Sequence, residues 1–341
     1  MPDILPPVSS PDTEYPAAEV YFAAPARDRY WLHVLLFLLT IFTTLVMGAR
    51  MQFNYEHNLP PLYLGDDSLD VFPISWAVHH LAMGIPFSSC LLLILLAHEM
   101  GHYLCCRYYG VSATLPFFVP FPSLIGTLGA FIRIRSPIRS RPALFDIGIA
   151  GPIAGFIVAI VVMVGSLLRT KVVAVMPFSE VQLGYPLIFG LALRGLKGAG
   201  LMPSGTGSGI LHPTAIAAWA GMFATSLNLL PGGQLDGGHI VFALSPRRHR
   251  IISRLTILAL IPMSFRWVGW LLWAVLLRIT GMRHPIVQEW PAVTGKRRWV
   301  AVFGVVILVL TFIPTPIANA GSMQVLHQVL DKVKQTIGWH R

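Results

Sequence analysis

The chain has 341 residues, 55% of them hydrophobic and only 12% charged, with a mean hydropathy of +0.66. Soluble domains carry about 25% charged residues, so the composition excludes an ordinary soluble domain and predicts an integral, multi-pass membrane protein partnered by the lipid bilayer. The formal charge of +10 does not predict a nucleic-acid partner, because the basic residues fall in short clusters beside apolar runs, as in positive-inside anchoring.

Residues 1–30 are rich in proline, alanine and acid and lack periodicity, which predicts a mobile N-terminal tail. They also lack the basic-then-apolar order of a signal peptide. The next unit, 31–84, reads as a first transmembrane helix over Trp31–Met47, an acidic loop and a short helix. The loop 50–70 sets Glu56, Asp66, Asp67 and Asp70 against Arg50, so it is expected to face away from the cytoplasm. The short helix runs from Val71 to Met83 and breaks at Gly84 and Pro86. Its His79 and His80 are adjacent, so they point to different faces and read as interfacial residues, not ligands of one ion.

A second span, Phe87–Tyr109, contains Ala97-His98-Glu99-Met100-Gly101-His102. Residues four apart share one helix face, so His98 and His102 can grip one tetrahedral zinc, with the Glu99 carboxylate beside them. Polar groups on a membrane helix are costly and usually functional. Three cysteines, Cys90, Cys105 and Cys106, are an odd count on one apolar helix, which speaks for apolar fillers and against a disulfide framework. Cys106 nevertheless continues the 98–102 ladder and is the local candidate for a third ligand.

The segment 111–141 departs from the helical pattern. Leu115–Pro122 holds too many prolines for a helix, and Phe131–Arg135 alternates apolar and basic residues, a strand signal. Non-helical backbone beside membrane spans must be buried in protein or line a wet cavity, so a re-entrant β-hairpin over about 112–136 is expected. In that reading Phe131, Ile132 and Arg133 form a platform for a substrate strand. The alternative is a cytoplasmic loop with a solvated edge of Arg133, Arg135, Arg139 and Arg141.

A third span over 143–168 carries Gly148, Gly151, Ala154 and Gly155, which would admit a close helix neighbour, and Pro152, which should kink it. The mixed segment 171–212 precedes a fourth span over Pro213–Leu230. That span runs into Asn228-Leu229-Leu230-Pro231-Gly232-Gly233-Gln234-Leu235-Asp236-Gly237-Gly238-His239. Gly233, Gly237 and Gly238 permit backbone conformations and close approaches denied to a regular helix, and Asp236 among them calls for a cationic partner. It is either a cap facing water or a second candidate for the third metal ligand. Residues 241–320 hold further transmembrane segments, with apolar stretches at 255–278 and 299–315. Pro262 and Arg266 interrupt the first stretch, so either one crossing or two half-helices is expected there. A polar helix over 321–341 ends the chain, and no internal repeat is visible.

His98-Glu99-Met100-Gly101-His102 on a membrane span, followed by Asn228-x-x-Pro231-x-x-x-x-Asp236-Gly237, resembles the site-2 protease family of intramembrane zinc metalloproteases. Gly126-Thr127-x-Gly129-Ala130 and Gly148-x-Ala150-Gly151-Pro152 also look like that family's core, so the resemblance covers roughly 85–240. It implies that His98, His102 and Asp236 bind zinc and that Glu99 is the catalytic carboxylate. Asn228 would contact the substrate backbone or the oxyanion, and Pro231, Gly237 and Gly238 would shape the backbone around the third ligand. The implied fold is an all-α polytopic bundle of about six transmembrane helices around a three-helix catalytic core, with the hairpin packed beside it. The implied substrates are transmembrane segments of other proteins. The implied setting is a cell (inner) membrane, with the site towards the cytoplasm. The segment 171–212 is too short for the PDZ insert of many members. A rival from another class is a metal-binding transporter or sensor using the same ligands without hydrolysis, in which Glu99 would be a redundant buried acid. A catalytically silent relative is disfavoured, because every expected chemical residue is present.

Overall fold

The computed structural model describes residues 29–64, 72–175, 179, 181–202, 208–280, 287, 291–318 and 320–325. Within them the chain is mostly helical. Three helices are long and apolar enough to cross a membrane: α1 (Tyr30–Glu56), the segment Leu81–Tyr108, and α4 (Arg141–Leu167). This is a polytopic membrane protein. The expected N-terminal tail (to residue 28), Asp66, Asp67, Asp70 and the polar helix from residue 326 onward lie outside the described residues.

Helix α1 runs on to Glu56, past the expected end at Met47. The reason is that its polar second half is sheltered: Arg50 is 2% exposed, and the Asn54 amide donates to the carbonyls of Pro61 (3.0 Å) and Tyr63 (3.2 Å). The expected short helix is instead α2 (Ile74–Ala77) followed by a 3-10 turn, Leu81–Gly84, that leads directly into α3 (Ile85–Tyr108). His80 packs its ring on Trp76 at 4.4 Å and bonds the Trp76 carbonyl at 2.9 Å, away from any metal-ligand group.

After α3 come the antiparallel strands β1 (Phe117–Pro120) and β2 (Thr127–Phe131), paired Phe117↔Phe131 and Phe118↔Ala130 with an irregularity before Pro120↔Thr127. The regular strand thus lies upstream of the alternating Phe131–Arg135 stretch. That stretch joins residues 112–114 loosely, through an isolated bridge Ala113↔Ile134 and the bond from the Thr114 amide to the Arg133 carbonyl (3.0 Å). A side chain replaces a ladder partner there, since the Arg133 amide donates to the Thr114 hydroxyl. The hairpin leans on α1, where the His33 ring stacks on Phe117 at 3.9 Å.

Helix α4 starts at its N-cap Ser140, whose side chain accepts from the Ala143 amide, and continues through Pro152 without ending. Strand β3 (Lys171–Val173), helix α5 (Leu187–Gly198) and strand β4 (Ser208–Ile210) lead into α6 (Pro213–Asn228). Helix α6 stops short of the expected Leu230, because the following Pro231-Gly232-Gly233 forms a turn, with Gly233 at φ +59°. Then come α7 (Asp236–Leu244), α8 (Pro246–Met263), α9 (Gly269–Thr280) and α10 (Lys296–Thr311). Helices α8 and α9 pack on one another, so the stretch interrupted by Pro262 and Arg266 is two helices and not one crossing. This arrangement brings the Lys296–Arg298 cluster back to the first turns of α4, where Arg297 bonds Asp146.

Candidate metal centre

Helix α3 packs most extensively on α4 and also on α6, while α7 packs on α4. These interfaces bring together residues 98–102, 147–155 and 228–239. His98, Glu99 and His102 are buried, at 5%, 6% and 7% exposed. One ligand atom from each of His98, His102 and Asp236 lies within 4.8 Å of the other two. Asp236 Oδ2 stands 3.3 Å from His98 Nε2 and 3.2 Å from His102 Nε2. A group of two imidazole nitrogens and one carboxylate oxygen is a donor set that suits zinc and leaves a fourth position open.

The surroundings fit that ion as well. His102 Nδ1 lies 2.7 Å from the Ile147 carbonyl, which fixes the tautomer and presents Nε2 as the free lone pair. Both rings rest on α4 at glycines. A Cβ on Gly151 would lie 2.1 Å from His102 Nε2, and one on Gly155 would lie 3.0 Å from His98 Cβ. Asp236 begins α7, whose backbone is drawn under the preceding turn: a Cβ on Gly237 would be 2.2 Å from the Leu229 carbonyl oxygen. The Asn228 amide nitrogen stands 3.1 Å from His98 Nε2, so the last residue of α6 also reaches the cluster.

The structure therefore brings together His98, Glu99, His102, Asn228 and Asp236, with Pro231 in the preceding turn and Gly237 and Gly238 in the first turn of α7. It does not bring Cys106, which is buried against Val111 and Ile147 instead. One turn further along α3, the thiol has passed the level of the cluster. Two cavities flank the centre. One of about 220 Å³ is bounded by Glu99, His102, Ile132, Asn228, Asp236 and His239. A smaller one of about 100 Å³ lies between Glu99, Leu128, Ala130, Asn228 and Trp273. A larger cavity, about 600 Å³ between Pro60, Leu62, Tyr185 and Leu211, contains none of these residues. The hairpin borders the centre, since Ile132 lines the same cavity as Glu99, His102 and Asp236.

Supporting residues were not evident as such in the sequence. The Arg141 guanidinium donates to the carbonyls of Ala243 (2.8 Å) and Leu244 (2.9 Å), capping the end of the helix that Asp236 begins. Asp146, adjacent to the Ile147 carbonyl that holds His102, is gripped by Arg297 at 2.7 and 2.9 Å and by the Tyr109 hydroxyl. The available signal was Asp146 itself, an acid in an apolar span that requires a cation. The cation lies 151 positions away, on another helix.

The model of peptidase family M50 matches residues 86–266, which contain the whole cluster. The chain is 30% identical over 302 residues to a probable zinc metalloprotease EGY1, chloroplastic, of Oryza sativa subsp. japonica, covering 84% of this chain and 50% of that protein. It is 31% identical over 221 residues to the Arabidopsis thaliana protein of the same name, covering 62% and 39% respectively. With a probable zinc metalloprotease EGY2, chloroplastic, of Arabidopsis thaliana it shares 29% over 244 residues, 70% of this chain and 43% of the other. The chain thus spans half or less of the length of these relatives. The match over more than half of the chain, with the motifs on two packed helices and one turn, agrees with the resemblance read from the motifs: the chain belongs to peptidase family M50, the site-2 protease family.

Proposed function

We propose that this protein is a zinc-dependent intramembrane peptidase that hydrolyses peptide bonds within or beside transmembrane segments of other membrane proteins. The observation that carries the reading is the convergence of His98 Nε2, His102 Nε2 and Asp236 Oδ2 beside the buried Glu99, inside the family-matched region. His98, His102 and Asp236 hold the ion, which when bound supplies Lewis acidity to a water and to the scissile carbonyl. Glu99 takes the proton of the attacking water on its carboxylate and delivers it to the leaving amide nitrogen. The Asn228 amide donates to the developing oxyanion. Helices α3, α4, α6 and α7 keep bulk water from the acid.

A transmembrane helix hides its amides in its own hydrogen bonds, so a substrate must be unwound before it is cut. We propose that the outer edge of the re-entrant hairpin receives the freed strand by edge pairing. The support is geometric: the Arg133 amide and carbonyl bond back to Thr114, so by two-residue alternation those of Ile132 and Ala130 face outwards, towards the cavities beside Glu99. Ala130→Pro should then lower the cleavage rate by at least about tenfold with zinc content unchanged. Unaltered turnover would reject edge pairing. We further propose six membrane segments, counting α6–α7, α8–α9 and α10 with the three long helices. The basic side, bearing Arg139, Arg141, Arg247, Arg248, Lys296 and Arg297, would face the cytoplasm of a cell membrane.

The activity is tested by Glu99→Gln, with a reporter carrying a transmembrane segment reconstituted beside the enzyme. The variant should retain stoichiometric zinc and lose cleavage by at least about 1,000-fold. No cleavage by the zinc-loaded wild type would sink the peptidase reading and leave the transporter or sensor one, and cleavage by Glu99→Gln at the wild-type rate would remove Glu99 from the chemistry. Arg297→Gln should loosen the Ile147 carbonyl that orients His102 and weaken zinc binding about tenfold in a chelator competition titration, with Arg297→Lys recovering part of it.

A further inference from the structure

Between Gly237 and Gln288 the sequence has seven arginines and no Asp or Glu. Four of them, Arg247, Arg248, Arg250 and Arg254, project from the first half of α8, all exposed. None has an ion-pair or hydrogen-bond partner among the described residues. They differ in this from Arg141 and Arg297 on the same side of the molecule, whose guanidiniums are committed to α7 and to Asp146. Farther along α8 the exposed side chains are apolar, Leu255 at 58%, Leu258 at 61% and Ile261 at 46%, and just beyond the helix the exposed Phe265 (65%) is followed by an exposed Arg266. One helix face thus changes from cationic to apolar within two turns, as a helix does where headgroups meet hydrocarbon.

The opposite face of α8 holds the turn that precedes Asp236. His249 Nε2 bonds the Gly233 carbonyl at 3.1 Å, the Ser253 hydroxyl accepts from the Gly233 amide at 3.2 Å, and the Thr256 hydroxyl donates to the Pro231 carbonyl at 3.1 Å. We propose that Arg247, Arg248, Arg250 and Arg254 form a binding surface for anionic phospholipid headgroups, and that its occupancy steadies the 231–235 turn carrying Asp236. Guanidiniums pair bidentately with phosphate, and unneutralised cations at this depth favour lipids with net negative charge over zwitterionic ones. The inference rests on the membrane placement of α8 and not on hydrolysis, so the Glu99→Gln protein should bind the same lipid.

The test uses the full chain in bilayers of phosphatidylcholine with and without phosphatidylglycerol. Spin-labelled lipids report which headgroup enriches at the protein surface, and amide exchange reports on residues 229–238. The wild type should enrich phosphatidylglycerol, less so as salt rises, and exchange at 229–238 should slow when it is present. Arg247→Gln, Arg248→Gln, Arg250→Gln and Arg254→Gln combined should lower the enrichment by at least about tenfold and abolish the slowing. The corresponding four lysine substitutions should retain both, which keeps the test valid if the glutamine protein folds poorly. Arg194→Gln with Lys197→Gln, on α5, should leave both unchanged. Equal affinity of the wild type for the two lipids, or undiminished enrichment in the folded glutamine variant, would overturn the headgroup surface. Enrichment without slower exchange would overturn its link to the turn.

Discussion

Replacing Asp236 by Ala should abolish hydrolysis and weaken zinc binding by more than about 100-fold, while Cys106→Ser changes neither. The two residues were the rival third ligands, and geometry separates them. Asp236 Oδ2 lies 3.3 and 3.2 Å from the two imidazole nitrogens, whereas Cys106 is packed in a separate apolar cluster with Val111 and Ile147. Removing the carboxylate also removes the group between two buried imidazoles, so metal loss and loss of turnover should appear together. Zinc content by mass spectrometry and cleavage of the reporter are the measurements. Zinc retained by Asp236→Ala and lost by Cys106→Ser would reverse the assignment.

The second large effect is expected at Gly151. Its Cβ would lie 2.1 Å from His102 Nε2, the atom turned towards Asp236. A methyl group cannot be accommodated there without swinging the ring or parting α3 from α4, and overpacking of this kind costs about 1–3 kcal/mol. Gly151→Ala should therefore lose most bound zinc while the helices remain folded. Gly165→Ala, in the same helix with nothing within 4 Å of the added methyl, serves as the neutral control. Full zinc occupancy in Gly151→Ala would mean that the ring seat on α4 does not set the metal geometry.

The close-packed glycine at 151 had been legible only as a general feature, one of several small residues that admit a neighbouring helix. That the neighbour is α3, and that the closest contact is the His102 ring, required the packing of α3 on α4. The hairpin shows the same limit. Proline content ruled out a helix over 115–122, and alternation suggested a strand over 131–135. The regular pairing fell instead on Thr127–Phe131, because the Thr114 hydroxyl takes up the Arg133 amide and disrupts the ladder. The placing of Ile132 and Glu99 on one cavity left no mark in the sequence.

By itself the sequence determined the membrane class and marked the helix and the histidine pair proposed to hold the metal. Hydropathy is set by composition, and the i, i+4 geometry of an α-helix places His98 beside His102 wherever that helix lies. The Asp236 turn could be singled out for its glycines, and its pairing with the histidines could be expected from the resemblance. Only the tertiary structure set Asp236 and not Cys106 beside the two histidines, placed Asn228 at His98, formed α8 and α9 as two helices, and joined Arg297 to Asp146 and Arg141 to α7. Each of those depends on contacts between residues far apart in the chain, set by how helices pack and where turns close, and neither is written in local periodicity.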